Sequence, residues 1–349
     1  MYKERAMVNV GLVGLGFMGK MHFDVHQSNP RSRVVALCDV QQRRLEGQWG
    51  DIGGNIEADE EMKTDLTGIR TYHKLDELLS DKEIDLVDIT LPTFLHANAA
   101  ISALKAGKHV LCEKPMALTT RECDRMIRAA QSKDRILMVA HCIRFWPEYE
   151  AAHRIIVSGQ YGPVRMASFH RLSSTPIWSW DNWLMDSKRS GSALTDLHIH
   201  DVDFVLQTFG LPQRVYAQGC SAPSDGADHV ISSYDFGNNQ IISLEGAWDM
   251  PPVFGFNMGF TIVMESGALI WDLADGKPLR LLRGNQSEPI ACEKGDGYQR
   301  EIDYVLNCVE QGESPMRCPP VQSREAVRLV LAEKKSIQTG KLVPIKPLA

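Results

Sequence analysis

One stretch of this chain restricts its fold more than any other. Met7 to Val13 is an apolar run broken only by Asn9 and Gly11; Gly14-Leu15-Gly16-Phe17-Met18-Gly19 follows it, and Met21 to Gln27 reads as a helix. In a strand, glycine loop and helix each glycine has a mechanical task. Gly14 permits the tight turn, Gly16 admits a pyrophosphate against the backbone, and Gly19 lets helix and strand pack closely. The helix amino terminus then faces the phosphates. A second apolar run, Val34 to Cys38, ends in Asp39, where a carboxylate accepts hydrogen bonds from an adenosine ribose. That carboxylate repels a 2'-phosphate, so NAD is expected ahead of NADP, although Arg43 and Arg44 are the kind of neighbour that accommodates such a phosphate.

The alternation continues. A helix-like stretch from Gln41 to Gln48 precedes a polar insert, Asp51 to Thr67, expected to be an exposed excursion. Then come the strand Gly68 to Tyr72, a helix Leu75 to Leu79, the strand Leu86 to Thr90, a turn at Leu91-Pro92, a helix His96 to Ala106, the strand His109 to Cys112, a helix Thr119 to Ser132 and the strand Ile136 to Ala140. Serial strand and helix alternation calls for a parallel, doubly wound sheet with right-handed crossovers. Beyond His141 the runs lengthen and alternate: Val164 to Leu172, Arg214 to Cys220, Val230 to Phe236, Gln240 to Trp248, Phe260 to Glu265 and Ala268 to Leu273. Turns such as Gly237-Asn238-Asn239 and Ser266-Gly267 join them as hairpins, which predicts a mostly antiparallel sheet. A late amphipathic helix is expected over Arg324 to Ser336. The division is therefore a dinucleotide-binding α/β domain, 1–140, and a substrate-binding and oligomerisation α+β domain, 141–349.

A chain of 349 residues accommodates two such domains. A net charge of -6 gives no sign of a nucleic-acid surface, so small-molecule partners are expected. The apolar run after Lys3 and Arg5 is too short and interrupted for a signal peptide, and no apolar stretch is long enough to span a bilayer. Eight cysteines lie scattered without a CxxC pair, as suits reduced thiols in a cytoplasm.

Ligands of doubly wound sheets bind outside the carboxyl ends of the strands. Glu113-Lys114-Pro115 ends one such strand, and Pro115 holds Lys114 away from helix. An ammonium group there can polarise a substrate oxygen or shuttle its proton. Thr90, Pro92, His96, Glu113 and Lys114 are thus candidates to line the cofactor together with Gly14, Gly16, Phe17, Met18, Gly19, Asp39 and Arg43. Further on, Asp196 and His200 become i and i+4 neighbours if Asp196 to Phe209 is helical, so that the carboxylate orients an imidazole base. The same pattern also describes an amphipathic helix with an Asp cap and packed histidines.

Together these pieces resemble the glucose-fructose oxidoreductase, inositol dehydrogenase and MocA family over nearly the full length. The resemblance rests on Gly14-x-Gly16-x-x-Gly19 followed by His22, on Glu113-Lys114-Pro115, on Arg144-Phe145 with Pro147, and on Asp196-x-x-x-His200 after Gly191-Ser192-Ala193. It implies a Rossmann domain joined to an open, mostly antiparallel sheet whose outer face makes dimers or tetramers. It also implies a nicotinamide and a substrate meeting between Lys114 and the pair Asp196 and His200. Family members oxidise a sugar or cyclitol hydroxyl, or run the reverse reduction. Two departures stand out: the glycine-rich run reads Gly191-Ser192-Ala193, and His198 stands where many relatives have a small residue. Asp196-x-His198-x-His200 invites a metal reading, but helical ligands are better spaced at i and i+4, so no metal is expected and His198 is read as supporting the site or touching substrate. Arg144, Arg171 and Trp183, with His141, Trp178, Trp180, Asp181 and Lys188, supply polar and aromatic groups suited to a polyol; core or an oligomer interface would use the same tryptophans.

The expected activity is an NAD-dependent interconversion of secondary alcohol and ketone on a sugar, sugar derivative or cyclitol. Two alternatives stay open: an enzyme that oxidises a sugar carbon transiently to allow elimination, then reduces it again, and a non-catalytic dinucleotide or sugar sensor.

Overall fold

The computed structural model describes residues 7–54 and 63–346. The opening apolar run forms β1 (Val8–Val13) and the glycine loop leads into α1 (Phe17–Ser28). There follow β2 (Ser32–Cys38), the short α2 (Gln42–Leu45), β3 (Arg70–Tyr72), α3 (Leu75–Leu79), β4 (Leu86–Ile89), α4 (Thr93–Lys105), β5 (His109–Glu113), α5 (Thr120–Lys133) and β6 (Leu137–Ala140). All six strands pair in parallel in the order β3-β2-β1-β4-β5-β6. Every residue of β4 and β6 is buried, as a parallel sheet covered on both faces requires. The order reverses between β1 and β4, the position where such sheets open a ligand crevice.

Local chemistry sets the helix limits. Thr119 caps α5, its hydroxyl accepting from the Glu122 backbone N–H at 3.3 Å and donating to the Glu122 carboxylate at 2.8 Å. The helix expected from His96 begins earlier, at Thr93, straight after Pro92. The one expected over 41–48 shrinks to four residues, because Gly47 takes a positive φ of 78° that ends it. Of the polar insert 51–67, residues 55–62 lie outside the described residues.

The chain continues through α6 (Pro147–Ser158), β7 (Val164–Ser174), α7 (Ser187–Ser190), α8 (Ser192–Asp196), α9 (Ile199–Phe209), β8 (Arg214–Cys220), β9 (His229–Asp235), β10 (Ile241–Met250), β11 (Phe256–Met264), β12 (Gly267–Asp272), β13 (Arg280–Arg283), β14 (Gln286–Pro289), α10 (Gly297–Gln311), α11 (Pro320–Thr339) and β15 (Val343–Pro344). Nine strands form one sheet, ordered β14-β13-β12-β11-β7-β10-β9-β8-β15 and antiparallel except where β7 pairs with β10. One face is packed by Phe169, Phe204, Phe260, Tyr149 and Trp271, ring against ring. Periodicity did not announce α10, β13, β14 or β15.

The chain divides into two compact units. The first comprises residues 1–142, 178–183 and 298–324; the second holds the remainder. Among the described residues no helix is long and apolar enough to cross a membrane.

Candidate active site

The glycine loop has the stereochemistry its sequence asks for. Gly14 sits at φ 95°, and a Cβ there would lie 2.9 Å from the Thr90 carbonyl oxygen; a Cβ on Gly19 would lie 2.0 Å from the Gly14 oxygen. Neither position has room for a side chain. Around Gly16, by contrast, a Cβ would meet nothing within 4 Å, so this stretch of backbone is open to an approaching phosphate. The Thr90 hydroxyl donates to the Gly14 carbonyl at 2.6 Å and locks the turn.

Asp39, at the end of β2, accepts from the Leu15 backbone N–H at 2.7 Å and from that of Gln41 at 2.7 Å. A carboxylate offers about four lone-pair directions, so two remain for a ribose. The neighbouring arginines are engaged elsewhere. Arg43 donates to Gln41 at 3.0 Å and pairs with Asp51 at 2.5 Å, while Arg44 is buried and also held by Asp51. Hydrogen bonds and charge from Arg44, with Arg43 beside it, hold the Asp51 carboxyl below its usual range. The donor set therefore fits a dinucleotide without a 2'-phosphate.

A buried charge network fixes the strand end that bears Lys114. His22 and His26 lie one turn apart on α1, and Asp88 in β4 accepts from both, at 2.8 and 3.1 Å. The other ring nitrogen of His22 stands 3.2 Å from Glu113, and Glu113 accepts the Lys114 backbone N–H at 2.9 Å. Burial pulls His22 down, but the charge and hydrogen bond of Asp88, reinforced by Glu113, outweigh it and raise the imidazole well above its ordinary value. Burial raises Asp88 in turn, and His22 and His26 outweigh that, bringing it to about 2. The ring is thus a buried imidazolium clamped between carboxylates. His22, Glu113 and Glu301, all buried, bring ligand atoms within 4.8 Å of one another. His96 is fully buried and stitches two turns, its ring nitrogens 2.8 Å from the Pro115 carbonyl and 2.7 Å from that of Leu91; burial draws its pKa down. The Lys114-Pro115 bond is cis.

In the second unit the helix expected over 196–209 is interrupted. The Leu197 and His198 N–H groups both reach the Ala193 carbonyl, at 3.0 and 2.8 Å, the latter an i to i-5 bond of the kind that widens a helix. Asp196 therefore ends α8 and His200 lies in the first turn of α9, both half-buried. The extra residue turns His198 inward. It is fully buried, 3.2 Å from Glu333 and 3.3 Å from the Ser232 hydroxyl, and it lies against β10 at Gly246, where a Cβ would fall 2.6 Å from the ring. Tyr234 donates to the same Glu333 oxygen at 2.9 Å. Among the described residues, Asp196, His198 and His200 do not form a converging ligand set.

Arg144 and Arg171 are also buried. Arg144 forks onto Asp203 with two contacts of 2.7 Å, and Arg171 onto Asp201 at 2.8 and 3.0 Å, lying over the Tyr149 ring as well. Both acids belong to α9, so the two guanidiniums fix the helix that carries His200. Trp183 lies in the bend 180–185, half-buried. Trp178, for which the sequence left a polyol platform, core and an oligomer interface all open, packs on Phe17 at the start of α1, ring centroids 5.4 Å apart. The His22, His26 and Asp88 network was missed as well, though an aspartate in an otherwise apolar buried strand was a readable signal: it needs partners.

Residues 8–141 match the family described as "Oxidoreductase family, NAD-binding Rossmann fold" and residues 149–270 match the GFO/IDH/MocA C-terminal domain. A levoglucosan dehydrogenase of Pseudarthrobacter phenanthrenivorans is 30% identical over 270 residues, covering 68% of this chain and 67% of that one. A scyllo-inositol 2-dehydrogenase (NADP(+)) of Bacillus subtilis is 30% identical over 195 residues, 54% of this chain and 53% of that one. For several curated relatives the matched stretch spans about half of their own length or less. A solved levoglucosan dehydrogenase in complex with NADH and levoglucosan superposes with a TM-score of 0.82 over 97% of this chain and 100% of that one, at 22% identity, which shows a common fold.

Proposed function

We propose, from the premise that the chain belongs to the GFO/IDH/MocA oxidoreductase family and carries its NAD-binding Rossmann domain, that it is an NAD-dependent dehydrogenase interconverting a secondary hydroxyl and a ketone on a sugar, sugar derivative or cyclitol. The observation that carries this is the cradle itself: an open Gly16, an Asp39 fixed at the end of β2, and Arg43 and Arg44 both paired with Asp51. Bound NAD supplies the hydride acceptor. His200 takes the hydroxyl proton, with Asp196 orienting its ring. Lys114 donates a hydrogen bond to the reacting oxygen and can share the proton, its backbone held by Glu113. Arg144, Arg171 and His198 set the position of α9 and of the bend before it, and Trp183 faces the substrate.

The test is NADH absorbance with a panel of inositols, aldoses, anhydrosugars and sugar acids, after the purified protein has been checked for retained cofactor. Turnover of one class is expected; cofactor held tightly with no net NADH release would instead mark the transient oxidation and elimination chemistry. His200→Ala should lower turnover by about two to four orders of magnitude while NAD still binds. Unchanged turnover would remove His200 from the mechanism.

Self-association through the outward face of the nine-stranded sheet belongs to the same proposal, because Ile231 and Ile241 lie 54% and 63% exposed on neighbouring strands there.

A further inference from the structure

Residues 178–183 pack with the first unit although both of their sequence flanks belong to the second. Within that unit the Trp178 ring packs against Phe17, tilted by 58°, and Phe17 is the residue that follows Gly16 and opens α1. Behind the two rings runs the backbone of Gly53 and Gly54. A Cβ on Gly53 would lie 2.9 Å from the Trp178 Cβ, and one on Gly54 would lie 2.1 Å from the Phe17 ring. Only glycine lets that segment come so close. The bend is conformationally costly as well: Asp181 and Asn182 both hold a left-handed φ near 50°, which non-glycine residues keep only where their surroundings impose it.

We propose that this strap is a retention element for the dinucleotide, with Trp178 closing the Phe17 side of the glycine loop and slowing NAD(H) release. The site is built from three separated pieces of chain, the loop, the Gly53-Gly54 seat and the strap, which converge on the first helical residue after the open Gly16. The inference rests on the dehydrogenase reading for the identity of the ligand and goes beyond it in assigning a kinetic role to residues outside the glycine fingerprint. Trp178 is a positioning residue here and takes no part in hydride or proton transfer.

Stopped-flow measurement of NADH fluorescence, with bound NADH chased by excess NAD, gives the release rate directly for the whole chain. Trp178→Ala should release NADH about three- to tenfold faster, the size of one aromatic contact, with a parallel rise in dissociation constant and little change in association rate. Trp178→Phe should restore most of the retention. Gly53→Ala, which displaces the tryptophan without deleting it, should also speed release and keeps the test alive if Trp178→Ala does not fold. Equal release rates in the wild type and in folded variants would overturn the strap and leave the dehydrogenase intact. Absence of NADH binding to the wild type would overturn both.

Discussion

Replacing Asp88 by Asn preserves shape and removes one charge from the centre of the buried network. His22 then loses its strongest partner, and His26 exchanges a carboxylate for an amide. A carboxyl held at about 2 rather than 3.8 is stabilised by nearly two pH units, on the order of 2–3 kcal/mol at about 1.4 kcal/mol per unit. The loss on mutation should be larger, about 3–5 kcal/mol, because a buried imidazolium is left short of counter-charge. In a unit of this size that lowers the melting temperature by about 6–20 °C. The pH dependence separates electrostatics from a packing defect. The depressed carboxyl of Asp88 contributes stability that is fully present above its unfolded value and is lost as pH falls through about 2. The raised imidazole of His22 contributes stability that is fully present below 6.5 and is lost as pH rises through its elevated folded value. The gap between wild type and Asp88→Asn should therefore be widest between about pH 4 and 6.5 and narrow on both sides. Thermal melts by circular dichroism across that range measure it. A gap below about 1 kcal/mol at neutral pH, or one that does not vary with pH, would refute the clamped imidazolium.

Asp39→Ala should weaken NAD by about tenfold or more and narrow its advantage over NADP, since it removes a charged acceptor and the Leu15 tether; equal NAD affinity by calorimetry would contradict the assignment. Asp203→Asn should cost about 3–5 kcal/mol in urea unfolding, because Arg144 stays buried without its forked partner, and a change under about 1 kcal/mol would show that the pair is not what holds α9. Ile231→Asp on the exposed sheet face should shift sedimentation toward the monomer while NAD binding persists, and an unchanged assembly would move the self-association surface elsewhere.

The sequence by itself determined the Rossmann half almost completely. Gly14 and Gly19 are dictated by backbone crowding that any helix closing on that strand would create, and Asp39 by its place at the next strand end. Such constraints are local in the chain, which is why they are legible in it. The antiparallel sheet was readable as alternation, but its central parallel pairing of β7 with β10 was not, since pairing partners are chosen by long-range packing. The same holds for the site. Spacing alone puts Asp196 and His200 on one helical face, yet the i to i-5 bond at Ala193 breaks that helix and turns His198 onto Glu333, a residue more than a hundred positions away. Arg144 and Arg171 looked like substrate ligands because an isolated arginine is soluble and charged; only folding supplied Asp203 and Asp201 to neutralise them in the interior. For Trp178 the sequence offered a choice of settings but no partner. Its meeting with Phe17 and the Gly53-Gly54 backbone depends on a bend whose left-handed residues are imposed by surrounding structure, and burial of that kind is a property of the tertiary arrangement rather than of neighbouring letters.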